Sequence, residues 1–114
     1  MSKISIFHNP RCSKSRQALA ILREEGYEPD IILYLEQRLD TATITSVLLK
    51  LGLSAADILR RSEAEYKAHF KHITNEDVLI SLMVRFPKVI ERPIIISDDR
   101  AVIGRPPEAL RKLL

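Results

Sequence analysis

The first 35 residues switch between two periodicities, and that switch limits the fold more than any other feature of the chain. Lys3-Ile4-Ser5-Ile6-Phe7 alternates apolar and polar residues as a short strand does, whereas between Gln17 and Glu25 the apolar Ala18, Leu19, Ile21 and Leu22 recur at helical spacing. Gly26 is placed to end that helix. Glu28-Pro29-Asp30 then leads into Ile31-Ile32-Leu33-Tyr34-Leu35, an unbroken apolar run that predicts a central strand covered on both faces. Strand, helix and strand in so short a span form a βαβ unit with a right-handed crossover and parallel strands.

The joint between the first strand and the helix is His8-Asn9-Pro10-Arg11-Cys12-Ser13-Lys14-Ser15-Arg16, which carries the single cysteine. Cys12 therefore sits at a helix N-terminus, beyond the carboxyl end of a strand, where open α/β sheets bind ligands. Backbone N–H groups there lack intrahelical partners and the helix dipole is positive, so a thiolate is favoured and an oxyanion finds donors. Lys3, Arg11, Lys14, Arg16 and Arg23 are basic and no acid precedes Glu24, which predicts a positive field and a lowered Cys12 pKa. An inert buried thiol is the competing reading, but the stretch from Pro10 to Lys14 is polar, not an apolar stripe.

From Thr41 to Phe86 the pattern is helical. Ile44, Val47, Leu48 and Leu51 share a face before Gly52, and Ser54 with Asp57 forms a capping-box pattern ahead of Ile58 and Leu59. A further helix is expected from Thr74, burying Val78, Leu79, Leu82, Met83 and Phe86 and ending at Pro87. Two short apolar segments, Arg92 to Ile96 and Ala101 to Gly104, flank a polar loop and predict an antiparallel hairpin. Arg105-Pro106-Pro107-Glu108 opens a last short helix through Ala109, Leu110 and Leu113. The order βαβ, helices, ββα predicts an α/β, thioredoxin-like core in one domain, 1–114, with a helical insertion at about 41–86.

Composition narrows the function. A chain of 114 residues, 46% of them hydrophobic, supports one globular core. Its longest apolar runs are about five residues against the ~18 of a membrane span, and Met1-Ser2-Lys3 leads into a strand and not a signal peptide, so a cytoplasmic protein without membrane contact is expected. One cysteine makes no intramolecular disulfide, so redox chemistry at Cys12 needs thiols from outside the chain. The net charge is +3, yet the basic residues form no long run and no recognition motif, which points to small anions and away from nucleic acid. His69, His72 and Glu76 have loosely metal-like spacing without a completing ligand, so no metal is expected. Tyr34, Tyr66 and Phe86 read as core or core-edge residues, and a monomer is expected because no spare apolar stripe is evident.

With these pieces in place the chain resembles the arsenate reductase family that couples to glutathione and glutaredoxin, from Met1 nearly to Leu114. The resemblance is carried by His8-Asn9-Pro10-x-Cys12-x-x-Ser15-Arg16, Ala56-Asp57-Ile58-Leu59-Arg60, Arg92-Pro93-Ile94 and Gly104-Arg105-Pro106. It implies Cys12 as nucleophile, His8 and Ser15 as neighbours that tune it, Arg60, Arg92 and Arg105 as an oxyanion clamp, and a cis peptide between Arg92 and Pro93. It further implies a Cys12 thiolate–arsenate adduct, with glutathione and glutaredoxin as external reductants and no bound cofactor. The chain departs from the best-known members in having Ser13-Lys14 where they carry Gly-Thr, in Arg11 where they have a small residue, and in ending soon after the last arginine, as a shorter branch does.

Several roles stay open at this level. His8 either holds Asn9 and the loop or carries a proton that favours the thiolate, and Ser15 either bonds the sulfur or is an ordinary first-turn residue. Lys14 either attracts the anion or is solvated. Arg60 and Arg61 are adjacent, and on a helix only one of them can face the loop. Alternative functions are an Spx-like regulator that binds RNA polymerase, and a thiol oxidoreductase acting on another oxyanion or on glutathionylated protein. Ser15 in place of a second cysteine argues against the regulator.

Overall fold

The computed structural model describes residues 3–114; Met1 and Ser2, which bear the expectation of no signal peptide, lie outside the described residues. Its elements run β1 (Ser5–Phe7), α1 (Ser13–Glu24), β2 (Asp30–Ile32), α2 (Thr41–Leu51), α3 (Ala64–His69), α4 (Glu76–Arg85), β3 (Ile94–Ile96) and β4 (Ala101–Ile103). Short 3₁₀ segments occupy Ala55–Ile58, Pro87–Val89 and Pro107–Leu113. This is the expected α/β, thioredoxin-like order, and none of the described helices is long and apolar enough to cross a membrane. The chain forms two compact units, Met1–Gln37 with Arg92–Leu114, and Arg38–Glu91.

In the first unit the four strands lie in the order β2-β1-β3-β4. β1 runs parallel to β2, with Ile6 opposite Ile31, and antiparallel to β3, with Phe7 opposite Ile94. β3 and β4 form the antiparallel hairpin, with Ile94 opposite Ile103. Ala18 and Leu22 lie one turn apart on α1 and pack with Ile4, Ile6, Ile95 and Leu110 to make the core. Gly26, just past the end of α1, has φ +91°, a conformation that glycine adopts without a Cβ penalty. The closing segment is a 3₁₀ helix in place of the expected α-helix, with Pro107 and Leu110 buried.

The second strand departs from expectation. β2 stops at Ile32 and lies at the sheet edge, leaving Ile31 and Leu35 each 39% exposed. The apolar run after Ile32 turns because Gln37 closes it: its side-chain carbonyl accepts from the Leu33 N–H, and its own N–H donates to the Leu33 carbonyl. Tyr34 is thereby carried inward to stack on Phe7 at 6.0 Å. An apolar run thus records one buried ring and a turn, not a doubly covered strand.

In the second unit, Asp40 caps α2 by accepting from Thr43 N–H, Ile44, Val47 and Leu48 are buried, and Gly52 ends the helix at φ +70°. The Asp57 carboxylate accepts from both the N–H and the hydroxyl of Ser54, each at 2.9 Å, but the segment it caps is only Ala55–Ile58. Leu59 is already extended and bridges Ile90. α4 starts two residues later than expected, at Glu76, with Asn75 accepting from Val78 N–H, and buries Leu79, Ile80 and Met83 while Val78 is exposed. α3 has no buried residue, so its sequence carries no apolar stripe to announce it.

Gly104 ties the hairpin to the loop before it. A Cβ placed there would lie 2.8 Å from Pro93 Cγ and 3.0 Å from Ile95 Cδ1. Since the proline ring has little freedom to retreat, Gly104→Ala is expected to destabilise the protein by about 1–3 kcal/mol, read as a lowered midpoint in urea unfolding. An unchanged midpoint would show that the contact is slack.

Candidate functional site

Cys12 is the N-cap of α1, with φ −92° and ψ 121°. The loop that delivers it is held by its own polar groups. His8 N–H donates to the Ile32 carbonyl of β2, so the loop leaves the sheet in fixed register. Asn9 then bonds three ways: its carbonyl accepts from Cys12 N–H at 2.9 Å, its side-chain oxygen accepts from Arg11 N–H at 3.0 Å, and its N–H donates to Ser15 Oγ at 3.1 Å. Arg16 closes the loop through Nη1 to the Pro10 carbonyl, at 2.8 Å.

His8 and Ser15 are both buried, and His8 Nδ1 shares a 2.6 Å hydrogen bond with Ser15 Oγ. Burial first, then the charges of Arg23 and Arg16, lower the His8 pKa from its ordinary value and so favour the neutral ring. This arrangement makes His8 a hydrogen-bonding prop of the loop. The Ser15 hydroxyl is directed to His8 and Asn9, so what Ser15 contributes at the sulfur is the polarity of its backbone N–H in the first turn of α1, which favours the thiolate.

Cys12 is 8% exposed. Burial pushes its thiol pKa up, but the Ser15 N–H, the charge and hydrogen bond of Arg92, and the Lys14 N–H together hold it below the ordinary value. Arg105 Nη2 stands 3.9 Å from the sulfur. The positive field thus comes from the far end of the sequence. Of the basic residues near the N-terminus, Lys3 pairs with Asp30, Arg23 with Glu28, and Arg16 serves the loop carbonyl. Lys14 acts on the sulfur through its backbone N–H.

Arg92 and Arg105 are positioned by the hairpin that they bracket. Gly104 N–H donates to the Pro93 carbonyl at 2.8 Å, and Arg105 Nε donates to the Arg92 carbonyl at 2.7 Å, leaving its terminal nitrogens for the sulfur side. Arg92–Pro93 is cis, and so is Arg105–Pro106, which no sequence signal announced. Arg92 Nε is buried and has no hydrogen-bond partner among the described residues, so it is a desolvated donor.

Arg60 belongs to the second unit and is not on a helix: it follows the Leu59–Ile90 bridge, with its N–H on the Val89 carbonyl. Its guanidinium pairs with Glu63 and Glu91, while Arg61 is exposed. The two arginines sit where the bridge at Leu59 passes into a turn, closed by Glu63 N–H on the Arg60 carbonyl, and not on a helix. His69 stacks on Phe86 at 4.2 Å, and among the described residues no three His, Cys, Asp or Glu side chains are grouped to hold a metal ion.

A thiolate with a lowered pKa should reveal itself in its alkylation rate. The Cys12 thiolate fraction, and with it the rate with iodoacetamide, should climb with pH and level off at a midpoint below the ~8.5 of a free thiol. A midpoint at or above that value would contradict the described field.

Comparison with known proteins agrees with the geometry. Residues 7–113 match the ArsC family. The chain is 44% identical over 115 residues to a protein of Escherichia coli K12 named "Uncharacterized protein YfgD", covering 98% of this chain and 97% of that one. It is 38% identical over 117 residues to an arsenate reductase of Neisseria meningitidis serogroup A, covering 100% of both. Among solved structures, an arsenate reductase from Vibrio cholerae superposes with a TM-score of 0.93 at 36% identity, covering 99% of this chain and 98% of that one. The chain belongs to the ArsC family.

Proposed function

We propose that this protein is a cytoplasmic thiol-dependent oxidoreductase that reduces arsenate to arsenite at Cys12, with glutathione and glutaredoxin supplying the electrons. The observation that carries the reading is the pair of arginines at the sulfur: Arg92 lowers the Cys12 pKa, and Arg105 Nη2 lies 3.9 Å from Sγ. A guanidinium fork stays charged at working pH and holds tetrahedral oxyanions through parallel hydrogen bonds.

In the first step the Sγ thiolate forms a bond to arsenic and one arsenate hydroxyl leaves, taking up a proton from solvent to depart as water. Arg92 and Arg105 hold the remaining oxygens as charge builds on them. A glutathione thiolate then attacks Sγ. The new S–S bond forms as the S–As bond breaks, and its electron pair stays on arsenic, which becomes As(III). Glutaredoxin removes glutathione from the mixed disulfide by thiol exchange and restores the Cys12 thiolate. Two electrons thus leave two sulfurs, only one of which this chain owns.

Arg60 enters the proposal through the family resemblance. Within its own unit its guanidinium pairs with the carboxylates of Glu63 and Glu91. The deciding assay follows NADPH consumption with the protein, arsenate, glutathione, glutaredoxin and glutathione reductase. Turnover above the protein-free rate is expected, and its absence with an intact Cys12 thiolate would overturn the reading.

A further inference from the structure

Beside the thiolate loop, on the side away from β3 in sheet order, residues 8–11 and the turn after β2 enclose a cleft of about 410 Å³. That volume suits a small ligand. Leu33 and Leu35 give the cleft an apolar floor and edge, Asn9 and Pro10 belong to the loop itself, and Arg11 and Glu36 bring opposite charges. Neither Arg11 nor Glu36 has an ion-pair partner among the described residues.

This chemistry does not suit the oxyanion. Glu36 repels it, and the arginines that lower the Cys12 pKa or stand at its sulfur, Arg92 and Arg105, do not line the cleft. A small peptide that carries both a carboxylate and an ammonium group fits both charges at once. We propose that this cleft seats the peptide thiol that reduces the Cys12 adduct, glutathione, with Arg11 taking a carboxylate and Glu36 the ammonium group. The inference rests on the reductase reading above and deepens it. Arg11 immediately precedes Cys12, so a thiol held in the cleft lies alongside the loop that presents the sulfur it must attack. The oxyanion and the reductant then occupy different sides of one thiolate and do not compete.

The test separates seating from turnover. Amide chemical shifts of the full chain are followed during titration with S-methylglutathione, which binds as the thiol does but forms no disulfide. The amides of residues 9, 11 and 33–36 should move most. Arg11→Ala and Glu36→Gln, both at exposed positions, should each weaken binding about threefold to tenfold, the scale of one polar contact. In the coupled assay the same variants should raise the KM for glutathione by a similar factor and leave the KM for arsenate unaltered. Shifts confined elsewhere, or unaltered affinity in both variants, would overturn the assignment even if arsenate is turned over. Binding at the cleft without any arsenate turnover would uphold the seat and refute the arsenate reading alone.

Discussion

Cys12→Ser is expected to reduce arsenate-dependent NADPH consumption to the protein-free rate, a loss of roughly four orders of magnitude or more, as removal of a nucleophile does. The physical reason lies in what the loop stabilises. The Ser15 and Lys14 N–H groups and the Arg92 charge favour a thiolate over a thiol, and they cannot bring a serine hydroxyl within reach of ionisation at neutral pH. Serine also offers no sulfur for glutathione to attack, so even an ester with arsenate would be a dead end. The fold should survive: the residue is a cap whose side chain makes no capping bond, and its N–H to Asn9 is a backbone contact. Circular dichroism and the unfolding midpoint check that. Turnover retained in the serine variant would place the chemistry elsewhere.

Arg92→Ala is expected to lower kcat/KM for arsenate by about 10²–10³, the scale on which removing one oxyanion donor acts. Two losses combine in that number. The oxyanion loses a buried, otherwise unpartnered donor, and Cys12 loses the largest positive charge acting on it. The second loss has a pH signature. With Arg92 gone, burial is opposed by the backbone N–H groups and by Arg105 at the sulfur without the Arg92 charge, so the Cys12 pKa rises and activity at pH 7 falls. Raising the pH through the new pKa should then restore the thiolate and part of the rate, leaving a residual deficit that belongs to oxyanion binding. Arg92→Lys should fall between the two because an ammonium replaces charge but not the fork. Arg61→Ala, at an exposed position, should stay within about twofold of the parent, as isolated surface charges do. Equal effects of Arg92→Ala and Arg61→Ala would remove Arg92 from the clamp.

The sequence disclosed most of this where a residue's local pattern and its role coincide. Ala18 and Leu22 repeat at helical spacing and are buried, Gly26 and Gly52 end helices in the left-handed region, and the hairpin from β3 to β4 is bounded by its own arginines. It misled where one letter pattern serves two structures. The run from Ile31 to Leu35 has the composition of a central strand but is an edge strand and a turn, because Gln37, four residues beyond Leu33, closes it by hydrogen bonds that hydropathy does not register. The field at Cys12 was legible in sign and not in source. Nearby Lys3, Arg16 and Arg23 are engaged elsewhere, and the charge that acts on the sulfur comes from Arg92, 80 positions away, through the β1–β3 pairing. Nothing local could show that Asn9 uses three of its groups on the loop.

The hairpin has a consequence for how such chains diverge. Arg92 stands just before β3 and Arg105 just after β4, so the distance between their guanidinium groups is set at the open end of the hairpin, by the Gly104–Pro93 and Arg105–Arg92 bonds. The opposite end, Ser97 to Arg100, closes on itself through Ser97 N–H and hydroxyl to the Arg100 carbonyl. Insertions there lengthen a polar tip without moving either arginine. A one-residue slip of β4 against β3, by contrast, would turn Val102 from the core and displace Arg105 in the same stroke. The tip is therefore the part of this unit free to acquire partner-specific loops or inserted peptides, and the register of three isoleucines is the part that selection on the thiolate must keep.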